Sequence, residues 1–130
     1  MPKKITTILN NQNYQIKTSF WIDLDGSRCF GKGKMQLLLL IDQTGSINKA
    51  AKQMNMSYKK AWTMIAELNQ QFSKPMVVTQ SGGKEGGGTV LTEDAKQLMQ
   101  YYRELNHRLE KFTAKETEKL LFGIKKQIIF

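Results

Sequence analysis

The stretch "GKMQLLLLIDQTGSINKAAKQMNMSYKKAWTMIAELNQQF" admits few folds, because its helix-forming runs are stopped at close intervals. "GKMQLLLLIDQTG" is apolar on most sides, as in a well-buried helix. Gly45 ends that run at the position just past a helix, and Ser46 is placed to cap a second helix. In the second helix Ile47, Ala50, Ala51 and Met54 fall at i, i+3, i+4 and i+7, one face of a short helix. "NMS" (Asn55 to Ser57) is a tight turn, and Ser57 caps a third helix starting at Tyr58. Ala61, Ile65, Leu68 and Phe72 make its inward stripe, and Pro75 prevents continuation. Two short helices joined by a three-residue turn are a helix-turn-helix.

The flanking segments read as strands and one long helix. In "YQIKTSFWIDLDG" the residues Ile16, Thr18, Phe20, Ile22 and Leu24 alternate with period two, which predicts a half-buried strand. Asp25-Gly26 is a hairpin signal, and "SRCFG" is the return strand. "MVVTQS" and "TVLT" are short strands around the glycine-rich "SGGKEGGGT", a β-ribbon with the character of a wing. Thr92 caps a fourth helix, with Glu93 and Asp94 in the first turn, where the macrodipole favours acids. Its Ala95, Leu98, Tyr102, Leu105, Leu109 and Phe112 are spaced 3-4-3-4-3, a heptad seam. The expected fold is α+β and mostly helical: a winged helix-turn-helix with an N-terminal β-hairpin and a long C-terminal dimerisation helix. The expected boundaries are a flexible N-terminus over 1–13, the domain over 14–112 including the dimerisation helix 92–112, and an apolar, basic tail over 113–130.

Charge restricts the partner. Against 11 Asp+Glu stand 20 Lys+Arg, a net charge of +9, which suits nucleic acid or an anionic membrane surface. The plain alternative is a soluble basic protein. One cysteine, Cys29, excludes an internal disulfide and fits a reducing compartment. The N-terminus has no apolar core of a secretory signal, and "LLLLI" is too short to span a bilayer. These features predict a cytoplasmic protein without a membrane partner.

Enzymatic patterns fail one by one. From Gly82 the stretch "GGKEGGGT" places Gly88 where a phosphate-binding loop needs its lysine, and a strand follows it instead of a helix. "GKGKMQ" near Gly31 lacks the third glycine of a dinucleotide fingerprint. One Cys and one His cannot build a zinc site. A Cys29–His107 nucleophile pair is arithmetically possible and nothing supports it; His107 reads as a surface or interface residue. The expectation is no enzyme, no catalytic residue, no metal and no cofactor.

Double-stranded DNA is the expected partner. A helix-turn-helix places its second helix in the major groove, N-terminal end first. Removing the core stripe leaves Ser57, Tyr58, Lys59, Lys60 and Thr63 facing outward, with Glu67 and Gln70 further along. Lysine can donate to guanine or phosphate, and hydroxyls can bond phosphates. Lys49 and Lys52 lie off the inner face of the second helix, which opens at Ser46, where free N–H groups suit an anion. Gly83, Lys84, Gly86 and Gly87 belong to the wing tip, which approaches the DNA backbone. The bland alternative makes Lys59 and Lys60 a solvated face. Trp62 could stack on a base, but the reading places it in the core beside Ala61. Leu98, Tyr102, Leu105, Leu109 and Phe112 are assigned to dimerisation; packing within one subunit is the alternative, expected near Ala95 and Leu98.

"GSINKAAKQMNMSYKKAWTMIAELN" followed by "GGKEGGGTVLT" resembles the N-terminal DNA-binding domain of the ModE-type molybdate-dependent transcriptional regulators, relatives of the LysR-type winged helix domains. "FWIDLDG" and "FGKGKMQLL" share the resemblance, which covers roughly Phe20 to Leu109. It implies a winged helix dimer on palindromic operator DNA. It further implies that Ser57, Tyr58, Lys59 and Lys60 open the recognition helix, that Gly82 to Gly88 form the wing tip, and that Trp62 is the family's tryptophan. Two departures stand out. Glu85 interrupts a wing that in the family reads closer to "GGKGGGG". Full-length members carry a C-terminal molybdate-binding region, and none is expected before Phe130, so molybdate sensing does not carry over. The expected function is a homodimeric transcriptional regulator on a near-palindromic operator. The alternatives are a winged-helix protein–protein adaptor and a non-specific architectural DNA-binding protein.

Overall fold

The computed structural model describes residues 3–80 and 88–129. In chain order they form α1 (Lys3–Ile8), β1 (Ile22–Leu24), β2 (Ser27–Phe30), α2 (Lys32–Thr44) and α3 (Ile47–Gln53). There follow α4 (Tyr58–Gln71), β3 (Val77–Thr79), β4 (Thr89–Leu91) and α5 (Glu93–Ile129). The chain divides into two compact units, Phe20–Tyr102 and Met1–Ser19 with Arg103–Phe130.

In the first unit the helix punctuation acts as the sequence predicts. Gly45 adopts φ 67°, a left-handed conformation that a side chain would strain, and its N–H closes α2 on the Ile41 carbonyl at 2.7 Å. The Ser46 hydroxyl accepts from the Lys49 N–H at 3.1 Å and starts α3 at once. Asn55, at φ 55°, turns the chain, and the Ser57 hydroxyl caps α4 by accepting from the Lys60 N–H at 3.0 Å. α2 buries Leu37, Leu38 and Ile41; α3 buries Ile47, Ala50 and Ala51; α4 buries Ala61, Ile65 and Leu68. α2 is less enclosed than its composition suggests: Leu39 is exposed, because the other helices cover only one side of it. α5 adds Ala95, Met99 and Tyr102 to the same core. The Tyr102 ring stacks on Phe20 at 4.6 Å and meets Phe30 edge-on at 5.3 Å.

The first hairpin turns at Asp25 and Gly26, both at positive φ (51° and 81°), as a two-residue primed turn requires. Its first strand is shorter than the alternation from Ile16 predicts. β2 offers only four residues, a bulge interrupts the register between Ile22 and Asp23, and residues 14–21 form no strand. The second hairpin pairs Val77 with Leu91, Val78 with Val90 and Thr79 with Thr89; the Gln80 N–H extends it to the Gly88 carbonyl at 2.8 Å.

This second hairpin is tied to the helices at both strands. The Asn69 carboxamide of α4 accepts from the N–H groups of Met76 (2.8 Å) and Val77 (3.1 Å) and donates to the Val77 carbonyl (3.0 Å). On the other strand, the Thr89 N–H donates to the Gly45 carbonyl at 3.1 Å.

In the second unit, Lys3–Ile8 form a short helix where the sequence suggests a loose segment. The Ile16 N–H donates to the Thr117 hydroxyl at 2.9 Å. α5 does not stop near Phe112; it runs 37 residues, to Ile129. "TAKETEKLLF" holds neither glycine nor proline, so the residues assigned to a separate tail continue the helix.

Asn69→Ala leaves three part-buried backbone groups without their partner. It is expected to lower stability by about 1–3 kcal/mol, seen as a lower urea midpoint at unchanged m-value.

Candidate nucleic-acid interface

Helical geometry decides what the first turns of α4 present. Ala61, Ile65 and Leu68 turn into the core, so Ser57, Tyr58, Lys59, Lys60, Trp62 and Thr63 are exposed. Ser57 is engaged as the cap acceptor, and its hydroxyl proton remains available to a phosphate oxygen. Thr63 differs from expectation: its hydroxyl donates to the Lys59 carbonyl at 3.0 Å, so in this rotamer it has no proton for a phosphate. Lys49 and Lys52 are exposed on α3, opposite its buried alanines. Ser46 is half-buried at the start of that helix. Gly83, Lys84, Gly86 and Gly87, with Glu85, lie outside the described residues.

Trp62 is a correction to the sequence reading. It is 38% exposed, because Ala61 and Ile65 already occupy the inward arc and the next position turns toward the second hairpin. Its ring meets Tyr58 edge-on, with centroids 6.1 Å apart. Both rings border an open cleft of about 340 Å³ between the starts of α3 and α4 and the base of the hairpin. Asn48, Thr79 and Gln80 line the same cleft. Sequence reasoning missed these three: their side chains are unremarkable until the hairpin is laid against α4, and the sequence carries no signal for that placement. A second groove of about 390 Å³, lined by Trp62, Ile65, Asn69, Pro75 and residues 77–79, runs along the other side of the Trp62 ring.

The face is cationic in a specific way. Ion pairs among the described residues join Lys34 to Glu67, Lys96 to Glu93 and Lys119 to Glu116, and none engages Lys49, Lys52, Lys59 or Lys60. Glu67, which the sequence leaves facing outward, is drawn back to the Lys34 ammonium at 3.1 Å. That ammonium also donates to the Cys29 carbonyl at 2.9 Å and to Gln71 at 3.1 Å, tying α4 to β2. The single acid on α4 is thereby paired with a cation from α2.

The proposed dimer residues separate. Tyr102 is turned into its own core against Phe20 and Phe30, so it is not available to a second copy. Leu98 packs against the same core. In the other unit Leu105 and Leu109 are half-buried, and Phe112 is 61% exposed. Among the described residues, no group of three or more His, Cys, Asp and Glu side chains could hold a metal, and no helix is long and apolar enough to cross a membrane.

Two short helices across a tight turn, followed by a hairpin tied back to the second helix and to the turn that precedes the first, define a winged helix-turn-helix domain. Residues 33–96 match the family model of the bacterial regulatory helix-turn-helix proteins of the lysR family. The chain is 35% identical over 99 residues to the molybdenum transport protein ModE of Azotobacter vinelandii, covering 76% of this chain and 37% of that protein. It is 45% identical over 69 residues to the transcriptional regulator ModE of Haemophilus influenzae, covering 53% of this chain and 27% of that protein. It is 44% identical over 69 residues to the DNA-binding transcriptional dual regulator ModE of Escherichia coli K12, covering 53% of this chain and 26% of that protein. The match thus spans about a third or less of the length of these relatives. The helix-turn-helix segment of this chain is similar to the corresponding part of these ModE proteins.

Cys29 is buried, and burial pushes its thiol above the usual range, opposed by the nearby Lys34 ammonium. It is therefore protonated at neutral pH, a poor nucleophile. Alkylation at pH 8 is expected to be slow in the folded protein and to reach the rate of a free thiol in denaturant, as followed by mass spectrometry.

Proposed function

We propose that this chain is a DNA-binding transcriptional regulator that works in the cytoplasm as a homodimer on a near-palindromic operator. One observation carries the reading: Lys59 and Lys60 stand exposed at the start of α4, with no ion pair to any described residue, beside a hairpin fastened to that helix. Lys49 and Lys52 extend the positive face along α3. The glycine-rich residues 81–87, which join the two strands of that hairpin in the sequence, are assigned to the DNA backbone in this reading. The net charge of +9 supports a polyanionic partner, and the transcriptional role named for the Haemophilus and Escherichia relatives supports a regulatory outcome. The reading calls for no catalytic residue, metal or cofactor.

The dimer contact is assigned to α5. Phe112, exposed in a single copy, and the half-buried Leu105 and Leu109 supply its apolar seam; Leu98 and Tyr102, which pack on the core of the other unit, are left out. Two recognition helices related by the dimer axis meet successive major grooves about 34–36 Å apart, which is why the operator is a near-palindrome. The adaptor alternative loses one of its supports, since the Glu67 carboxylate is held by Lys34.

Selection of bound fragments from a random DNA pool tests the reading; recovery of no preferred sequence would refute it. On the selected site, Lys59→Ala is expected to weaken binding by about 1–3 kcal/mol and relax one base position if the lysine reads guanine. A phosphate contact would instead lower affinity evenly across sequences. Affinity is expected to fall with salt with a logarithmic slope of about −0.9 per neutralised phosphate. Sedimentation at micromolar concentration is expected to give a dimer, and a monomer there would rule out the α5 seam.

A further inference from the structure

We infer that Tyr58 and Trp62 form a thymine-reading wall: their rings contact the C5-methyl group of one thymine in each operator half-site. The inference rests on the proposed insertion of α4 into a major groove. Its starting observation is two large aromatic rings left open on the outward side of a helix whose apolar stripe is already complete. Tyr58 is 50% exposed and Trp62 38% exposed, although Ala61, Ile65 and Leu68 satisfy the core.

The two rings are held together, one edge against the other's face at 6.1 Å, and both border the cleft at the start of α4. Trp62 is flanked on its other side by the groove that Ile65, Val77 and Val78 line, so the wing strand restricts where the indole can go. Among the described residues the rest of the cleft is neutral: Asn48, Thr79 and Gln80 carry amides and a hydroxyl, and no charged side chain of those residues lines it. A phosphate would find hydroxyl and amide donors there but no cation among the described residues, and the four exposed lysines lie on neighbouring positions.

An apolar wall with an amide rim matches one base edge in the major groove. Thymine presents a methyl group beside the O4 acceptor; adenine, guanine and cytosine carry no methyl group there. The rings shield the methyl from water while the Asn48 or Gln80 amide donates toward O4. The lysines position the helix on the phosphates, and the aromatic pair reads sequence.

The test uses the full chain and the site recovered by selection, with deoxyuridine replacing thymine at each position in turn. That exchange removes one methyl group and preserves every hydrogen bond. At one symmetric position, affinity is expected to drop about fourfold per half-site, and about fifteenfold with both half-sites substituted. Trp62→Ala should bind the thymine and deoxyuridine sites alike, whereas Trp62→Phe should keep part of the discrimination. Neither variant alters a charge, so both should keep the salt dependence of the parent. Tyr58→Ala repeats the comparison where Trp62→Ala fails to fold, and the deoxyuridine scan on the parent protein requires no variant. Equal binding to every deoxyuridine site overturns the inference while leaving the regulator reading intact. So does a Trp62→Ala protein that weakens on all sequences evenly, since the ring would then touch sugar or backbone. Failure to recover any preferred site removes the regulator reading and this inference together.

Discussion

Gly45 is the joint through which three parts of the domain are held. Its left-handed φ of 67° lets α2 stop and the chain turn straight into the Ser46 cap of α3. Its N–H closes the last turn of α2, and its carbonyl receives the Thr89 N–H of the second hairpin. A longer connection would let α3 drift from α2, and their shared core of Leu37, Leu38, Ile41, Ile47 and Ala50 depends on close approach. None of these helices is long enough to be stable alone. The joint positions their apolar faces so that each covers the next.

Asn69 does on α4 what Gly45 does on the α2–α3 turn. With three hydrogen bonds to the start of β3, it makes the hairpin's position follow the helix. The Lys34 ammonium fixes the far end of α4 through Glu67 and Gln71. The exposed lysines and aromatic rings at the other end of α4 are therefore presented by a helix restrained along its length. A surface that recognises a rigid, periodic polymer needs such restraint, because each loose contact adds an entropic penalty to binding.

Local chemistry made much of this legible in advance. Helix stops at Gly45 and before Ser57, the primed turn at Asp25-Gly26 and the Thr92 cap are set by residues within four positions of one another. The inward stripes of α3 and α4 followed from spacing alone. Readings that required a partner element fared less well. The alternation from Ile16 implied a longer strand, but a strand lasts only as long as its neighbour, and β2 is four residues. The size of Trp62 and its place beside Ala61 suggest the core, but Ala61, Ile65 and Leu68 fill the inward arc. Tyr102 fitted a heptad seam by spacing, yet Phe20 and Phe30 lay close enough to take its ring.

By itself, the sequence determined where helices begin and end, which faces are apolar, and that the chain is strongly cationic. These properties depend on backbone conformation and side-chain type over a few residues. Tertiary structure alone decided that Glu67 is neutralised by Lys34, that Asn69 binds the wing strand, and that Asn48, Tyr58, Trp62, Thr79 and Gln80 share one cleft. The reason is range. Caps, turns and periodicity act between near neighbours in the chain, whereas a cleft is made by segments that only packing brings side by side.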